Sequence, residues 1–291
     1  MVLCPKCDMP FSGETSSKLI CNNCGHEIAI IDGSVMFHPE QDKLHSGMES
    51  FLHDDLYKYE NKHFWARQRI NNIGHVFNKY VSRAKKVIEI GAGTGGITRY
   101  LLENGYRDLS VGEVHLSGLE YAKSYGIKNR YQFDLTKTPF MEHFDAVGMF
   151  DVLEHIDDDE LAVKNIYKML KPGGKAIVTV PAHKWLWSKQ DAVAYHRKRY
   201  EVDQLKDMFE RNSFKILEAR AFFISILPLL YLRTFLDRDN GTLRESDFKD
   251  RFKVNSFINF ILGAILSIEN KLLVNASLRW GGSILLVAEK I

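Results

Sequence analysis

The chain has 291 residues, with 39 Lys+Arg against 37 Asp+Glu and a formal net charge of +2. At 45% hydrophobic and 26% charged residues, its composition is that of an ordinary globular protein, which excludes a collagen, a disordered acidic tail and a disulfide miniprotein. Near-balanced charge argues against binding nucleic acid through a basic face. The longest uncharged apolar-leaning runs, 221–232 and 254–268, fall short of the roughly 20 residues of a spanning helix, so no transmembrane segment is expected. No charged stretch followed by an apolar one opens the chain, and the expected compartment is the cytoplasm, with peripheral membrane contact open.

The four cysteines all lie in the first 24 residues, as Cys4-x2-Cys7-x13-Cys21-x2-Cys24. Two CxxC pairs at this spacing predict a zinc ribbon. Each pair turns sharply enough to aim both sulfurs at one ion, and four thiolates close a tetrahedral structural site. Two disulfides would need an oxidising compartment. Residues 1–44 are read as this ribbon and 45–291 as the main domain. Ile28–Ile31 reads as a short strand before a turn at Asp32-Gly33, and 44–82 carries helix-like periodicity.

From Lys86 the pattern alternates. Val87–Ile90 is a strand, Gly91–Gly96 a glycine loop and Ile97–Asn104 a helix; Leu109–Val111 is a strand before a helix at about 117–125. Phe144–Phe150 is a strand, a helix follows at about 159–170, Lys171-Pro172-Gly173-Gly174 turns, and Ala176–Val180 is a strand. Such alternation predicts an α/β fold, a largely parallel sheet with helices on both faces.

The loop Gly91-Ala92-Gly93-Thr94-Gly95-Gly96 sits between strand and helix, where glycines let backbone approach a ligand. It also satisfies G-x-G-x-x-G, so a dinucleotide site competes. Glu89, two residues before the first glycine, would repel a pyrophosphate but suits a cationic amino-acid group. Glu113, 22 residues after Gly91, can accept hydrogen bonds from ribose hydroxyls.

Together with Phe144-Asp145…Asp151-Val152-Leu153-Glu154-His155 and Leu170-Lys171-Pro172-Gly173-Gly174, these features resemble the class I S-adenosylmethionine-dependent methyltransferases of the type 11/12-like subgroup. The resemblance covers about 45–220. It implies a Rossmann-like sheet of seven strands, six parallel and one antiparallel, with Phe214–Phe222 and Ser283–Glu289 as the final two. Carried over, Glu89, Gly91, Ala92, Gly93 and Gly95 would line the methionine part of the cofactor. Glu113 and Val114 would hold ribose and adenine, Asp134 and Leu135 would meet the adenine edge, and Phe150 would lie beside the sulfonium. Tyr59, His63-Phe64-Trp65 and Arg69 look like the entry segment of a subgroup that closes over the cofactor, Arg69 pairing with the methionine carboxylate.

The acceptor wall is expected just after the fifth strand, where Trp187, Asp191, Arg197, Arg199 and Tyr200 are the candidate contacts. His196 and His155 are the candidate bases for a hydroxyl acceptor. Arg197-Lys198-Arg199 is either a solvated run or a clamp for an anionic group. The apolar insertion at 223–280 reads as a helical cap, as a lid over a greasy acceptor, or as a surface resting on a membrane. The leading expectation is therefore O- or N-methylation of a small-molecule or lipid-linked acceptor, partly apolar and anionic.

Two alternatives stand beside it. A ribbon ahead of this fold is also similar to a bacterial ribosomal-RNA guanine methyltransferase, so a ribosomal RNA or tRNA methyltransferase is one; but residues 1–60 hold 4 Lys and no Arg against 10 Asp+Glu, and phosphate contacts need cations. The other is a non-catalytic, cofactor-binding module that docks a partner protein. The sequence does not define the oligomeric state.

Overall fold

The computed structural model describes residues 1–11, 13–40, 57, 62–236 and 254–291. The expected Tyr59 contact and the charged segment Asp237–Lys253 lie outside the described residues. The strands are β1 (Gly13–Glu14), β2 (Lys18–Ile20), β3 (Glu27–Ile31), β4 (Ser34–Met36), β5 (Val87–Ile90), β6 (Leu109–Glu113), β7 (Asn129–Gln132), β8 (Phe144–Phe150), β9 (Leu170–Pro181), β10 (Phe214–Phe222) and β11 (Ser283–Lys290). The helices are α1 (Phe64–Tyr80), α2 (Gly96–Glu103), α3 (Leu116–Ser124), α4 (Asp159–Met169), α5 (Lys189–Val193), α6 (Val202–Arg211), α7 (Leu227–Leu236) and α8 (Ser256–Leu273).

The strands form one sheet in the order β1-β2-β3-β4-β7-β6-β5-β8-β9-β11-β10. From β4 to β9 the pairs from β4–β7 onward are parallel, and β11 runs antiparallel to both β9 and β10. The seven-stranded Rossmann-like methyltransferase sheet is therefore present, with β11 as its antiparallel member. Apolar side chains cover both faces. Ile166 of α4 and Leu205 and Phe209 of α6 pack on one; Ile73 and Phe77 of α1, with Leu101 of α2, pack on the other.

The ribbon does not hang free. Met36 and its neighbours pair with β7, extending the sheet. The buried Gln132 amide then clamps the chain beyond β4, accepting the His38 N–H at 2.9 Å and donating to the His38 carbonyl at 2.7 Å. The turn before β4 runs through Asp32 (φ 49°) and Gly33 (φ 76°), the paired left-handed conformations of a tight hairpin.

β9 starts at Leu170, earlier than the expected 176. Leu170 pairs with Phe144 and Lys175 with Ala146, so Lys171–Gly174 bulges out opposite Asp145. Lys171 closes the bulge with a 2.9 Å ion pair to that aspartate.

The insertion is helical, but it is inside out. Asn259, Gly263, Leu266 and Asn270 form the stripe of α8 toward α1. Asn259 accepts the Phe64 N–H at 2.8 Å, one of the first-turn donors of α1 that no carbonyl of its own helix can satisfy. Asn270 bonds to Asn72 at 2.6 Å and Gln68 at 2.9 Å. Phe257, Phe260, Ile268 and Leu272 face outward, with Phe260 at 72% exposure. The apolar run ends at Ile268 in sequence, yet the helix continues because the Glu269 carboxylate is satisfied inside the protein by the N–H groups of Phe223, Ile224 and Ser225. At 18 residues α8 is, by length and composition, apolar enough to cross a membrane, a length that the uncharged run alone does not reach. Its Asn259, Glu269 and Asn270 side chains, however, are bonded to this chain.

Candidate active site

At the ribbon, two turns of the same design present the cysteines. Asp8 donates its N–H to the Cys4 carbonyl and Gly25 to the Cys21 carbonyl, each at about one helical turn's separation. Asp8 (φ 57°) and Gly25 (φ 70°) both adopt left-handed backbone there, a conformation that glycine and aspartate tolerate best. All four sulfurs lie within 4.8 Å of one another, with Cys4–Cys24 at 3.7 Å and Cys7–Cys21 at 3.5 Å. A zinc ion bound at about 2.3 Å places its tetrahedral sulfurs roughly 3.8 Å apart, so the donor set fits zinc.

The cofactor crevice opens at the carboxyl ends of β5, β6 and β8, where the strand order reverses. Gly91 (φ 66°), Gly93 (φ 53°) and Gly95 (φ 75°) are all left-handed. A Cβ on Gly91 would lie 2.5 Å from Val152, whereas nothing stands within 4 Å of one on Gly93. The loop is thus packed at its base and open at its apex, as backbone approach to a ligand requires. Ala92 is nearly buried beneath it. Glu89 is buried and receives the Thr98 hydroxyl. Glu113 accepts the N–H groups of Gly93 at 3.0 Å and Val114 at 2.8 Å, which fixes the acid at the mouth of the loop.

Where the adenine edge is expected, the Asp134 carboxylate accepts the Thr136 N–H and hydroxyl, both at 2.8 Å, and so starts the short turn that carries buried Leu135. Phe150 is the last residue of β8. Its ring is 5% exposed and packs on Phe77 in the core beneath α1, so core packing accounts for it without a ligand. Arg69 stacks over Trp65 at 5.0 Å and ion-pairs with Asp151 at the end of β8. The expected carboxylate partner of Arg69 is thus supplied by this chain.

The acceptor segment forms a cluster around Asp191. Buried Asp191 is the reciprocal cap of α5 with Ser188. It accepts His196 Nδ1 at 2.9 Å and two Arg199 nitrogens at 2.7 and 3.0 Å. Burial works the other way, but the His196 hydrogen bond and the Arg199 charge hold its carboxyl well below the usual range. Arg199 also donates to the Ala182 carbonyl, so it braces the loop and does not project as a clamp. Arg197 pairs with Asp157 at 2.8 Å and Lys198 with Asp159 at 2.9 Å. Each cation of the run pairs with a carboxylate of this chain, so of the two readings of the run the anionic clamp gains no support. Tyr200 is fully buried and donates to Asp159 at 2.9 Å, a core role where an acceptor contact was expected. Trp187 is 41% exposed at the rim.

His155 and His196 do come together, ring centroids 5.0 Å apart. Between them and the sheet lies Glu154, which sequence reasoning used only as part of a motif. It is fully buried, and its carboxyl is pushed well above the ordinary range by burial and by Asp151. His183 was also missed. It sits after β9 with φ 58°, stacked on Trp185 at 5.2 Å and bonded to Glu201 at 2.7 Å. A shallow cleft of about 430 Å³ beside it is lined by Trp185, Ile224, Leu227, Pro228 and Tyr231.

A sheet that ends in an antiparallel strand beside β9, with a glycine loop and an acid at the next strand end, is the architecture of the class I S-adenosylmethionine-dependent methyltransferases. The methyltransferase-domain family matches residues 61–219, and the chain belongs to that family. It is 30% identical over 121 residues to phosphoethanolamine N-methyltransferase 3 of Arabidopsis thaliana, covering 40% of this chain and 25% of that protein. It is 28% identical over 160 residues to a ubiquinone/menaquinone biosynthesis C-methyltransferase of Pectobacterium atrosepticum, covering 50% of this chain and 61% of that one. The chain thus spans less than two thirds of either relative. Among solved structures, a candidate methyltransferase from Bacillus halodurans superposes with a TM-score of 0.52 at 16% identity, over 75% of this chain and 98% of that one, a likeness of fold.

Proposed function

We propose that this chain transfers the methyl group of S-adenosylmethionine to a partly apolar small-molecule acceptor met at a lipid surface, and that Cys4, Cys7, Cys21 and Cys24 hold a structural zinc ion. The observation that carries the transfer is the loop and its acid: three left-handed glycines joined through Gly93 to the Glu113 carboxylate. In this reading Glu113 accepts the ribose hydroxyls and Glu89 faces the cationic amino group. The cofactor supplies a methyl group on a sulfonium; the chain's task is to align acceptor and methyl carbon and to exclude water, the proximity term of catalysis. Four thiolates leave zinc no open position, so the ribbon takes no part in that step.

The names of the two curated relatives, which concern phosphoethanolamine and quinone biosynthesis, support a small-molecule acceptor. The outward apolar faces of α7 and α8, with Leu232, Leu236, Phe257 and Phe260 exposed, support its presentation at a bilayer, since monomeric proteins rarely leave large apolar patches in water. The acidic balance of residues 1–60 speaks against RNA.

The test is to incubate the protein with methyl-labelled S-adenosylmethionine and a whole-cell extract, then identify the labelled product. Label in an organic-extractable compound is expected. Label in RNA, or none in any fraction, refutes the reading. Co-sedimentation with phospholipid vesicles tests the surface separately: Phe260→Asp should weaken it at least tenfold without lowering stability, and unchanged binding would count against membrane contact.

A further inference from the structure

We infer that Glu154, His155 and His196 form a binding site for a divalent first-row cation, such as Mn²⁺, Fe²⁺ or Zn²⁺, at the acceptor edge of the sheet. One ligand atom from each lies within 4.8 Å of the others. The Glu154 Oε1 to His196 Nε2 distance is 3.7 Å. Ligand atoms held at ~2.1 Å by one ion with open positions stand roughly 3.0–3.4 Å apart, so a pair at the 4.8 Å limit must close by about 1.4–1.8 Å, within reach of side-chain rotation.

A second observation points to a ligand. Both Glu154 oxygens are buried without a hydrogen-bond partner among the described residues, although the residue is fully buried. A carboxyl group buried without a partner is costly to keep, and a bound cation would compensate its ionised form. The nearby arginines are engaged elsewhere, Arg69 with Asp151 and Arg199 with Asp191. The histidine is oriented to match. The Asp191 carboxylate accepts from His196 Nδ1, which leaves Nε2 turned to Glu154, 3.7 Å from Oε1. A carboxylate behind the ligating imidazole is also the usual support of a metal-bound histidine.

Two histidines and one carboxylate suit these metals and leave coordination positions open. The ion and Glu154 together carry +1, which selects an anionic oxygen of the acceptor (phenolate, carboxylate or phosphate) as the further ligand. His196 and His155 are then ligands, not proton acceptors as the sequence suggested. The acceptor's role in this rests on the methyltransferase reading; the ion's presence does not.

The probe is Mn²⁺, which the thiolate ribbon does not favour. Titrating the zinc-loaded protein by electron paramagnetic resonance should reveal one saturable Mn²⁺ site per chain. Glu154→Gln and His196→Ala should each weaken it at least tenfold. Glu154→Gln removes a buried charge and so should fold; Mn²⁺ should raise the melting temperature of the wild type but not of this variant. The inference is overturned if the wild type binds neither Mn²⁺ nor zinc beyond the ribbon's equivalent, or if Glu154→Gln binds Mn²⁺ equally well. S-adenosylhomocysteine calorimetry on the same samples separates the two readings: Mn²⁺ binding with no response to that nucleoside would keep the metal site and remove the methyltransferase reading.

Discussion

Glu269→Ala should destabilise the protein more than any surface substitution on α8. The carboxylate accepts three backbone N–H groups, from Phe223 at 2.6 Å, Ile224 at 3.0 Å and Ser225 at 2.8 Å. Hydrogen bonds to a charged group contribute about 1.5–3 kcal/mol each. Ser225 is exposed, so water can replace one bond, and the remaining two set a loss of roughly 3–5 kcal/mol once partial relaxation is allowed. For a chain of this size that is roughly 6–15 °C in melting temperature. Glu269→Gln keeps an amide oxygen for Phe223 and Ile224 and loses the third acceptor, so it should cost only about 1–2 kcal/mol. The assay is a melt followed by circular dichroism, with the ribbon metal held constant. If Glu269→Ala falls within ~1 kcal/mol of wild type, or if Gln costs as much as Ala, the carboxylate does not anchor the helix and the account of its reversed polarity fails.

Other outcomes follow from the same geometry. Purified protein should carry one zinc beyond any cation at Glu154, and stripping it should raise hydrogen exchange in β1–β4 first, because their strand pairing with the main sheet is the short β4–β7 contact; unchanged exchange there would contradict a structural metal. Glu113→Ala should weaken S-adenosylhomocysteine binding by about 1.5–3 kcal/mol, or roughly 10- to 150-fold, by calorimetry. Burial and the Lys86 ammonium push the His143 imidazole down to about 4, so the folded chain refuses a proton that the unfolded chain takes up near pH 6.5. Its contribution is complete above that pH and declines as pH falls from about 6.5 toward 4, by about 1–2 kcal/mol after allowance for partial exposure; His143→Gln should flatten stability between pH 6.5 and 5, measured by denaturant titration.

The sheet was legible because its signals are local. The strand Val87–Ile90, the left-handed glycines behind it and the acid at Glu113 follow from residue type and short spacing. The ribbon was legible for the same reason, each CxxC being a self-contained turn. What sequence could not show was which charges neutralise each other. Arg197, Lys198 and Arg199 read as a cationic run, yet Asp157, Asp159 and Asp191 meet them one for one, and two of those acids lie some 40 residues earlier in the chain. Glu154 is the converse case. It looks like one more charge in an acidic stretch, and only the fold buries it and brings His196 to it. The same holds for α8, where a hydropathy profile cannot see that Asn259, Glu269 and Asn270 are each spoken for by backbone or side chains of α1 and the loop after β10. In all three places the chemistry is decided by partners distant in sequence. Glu154, whose carboxyl has no hydrogen-bond partner among the described residues, stands beside the segment read as the acceptor wall, so in the proposed reading metal and acceptor would be recognised by the same few atoms.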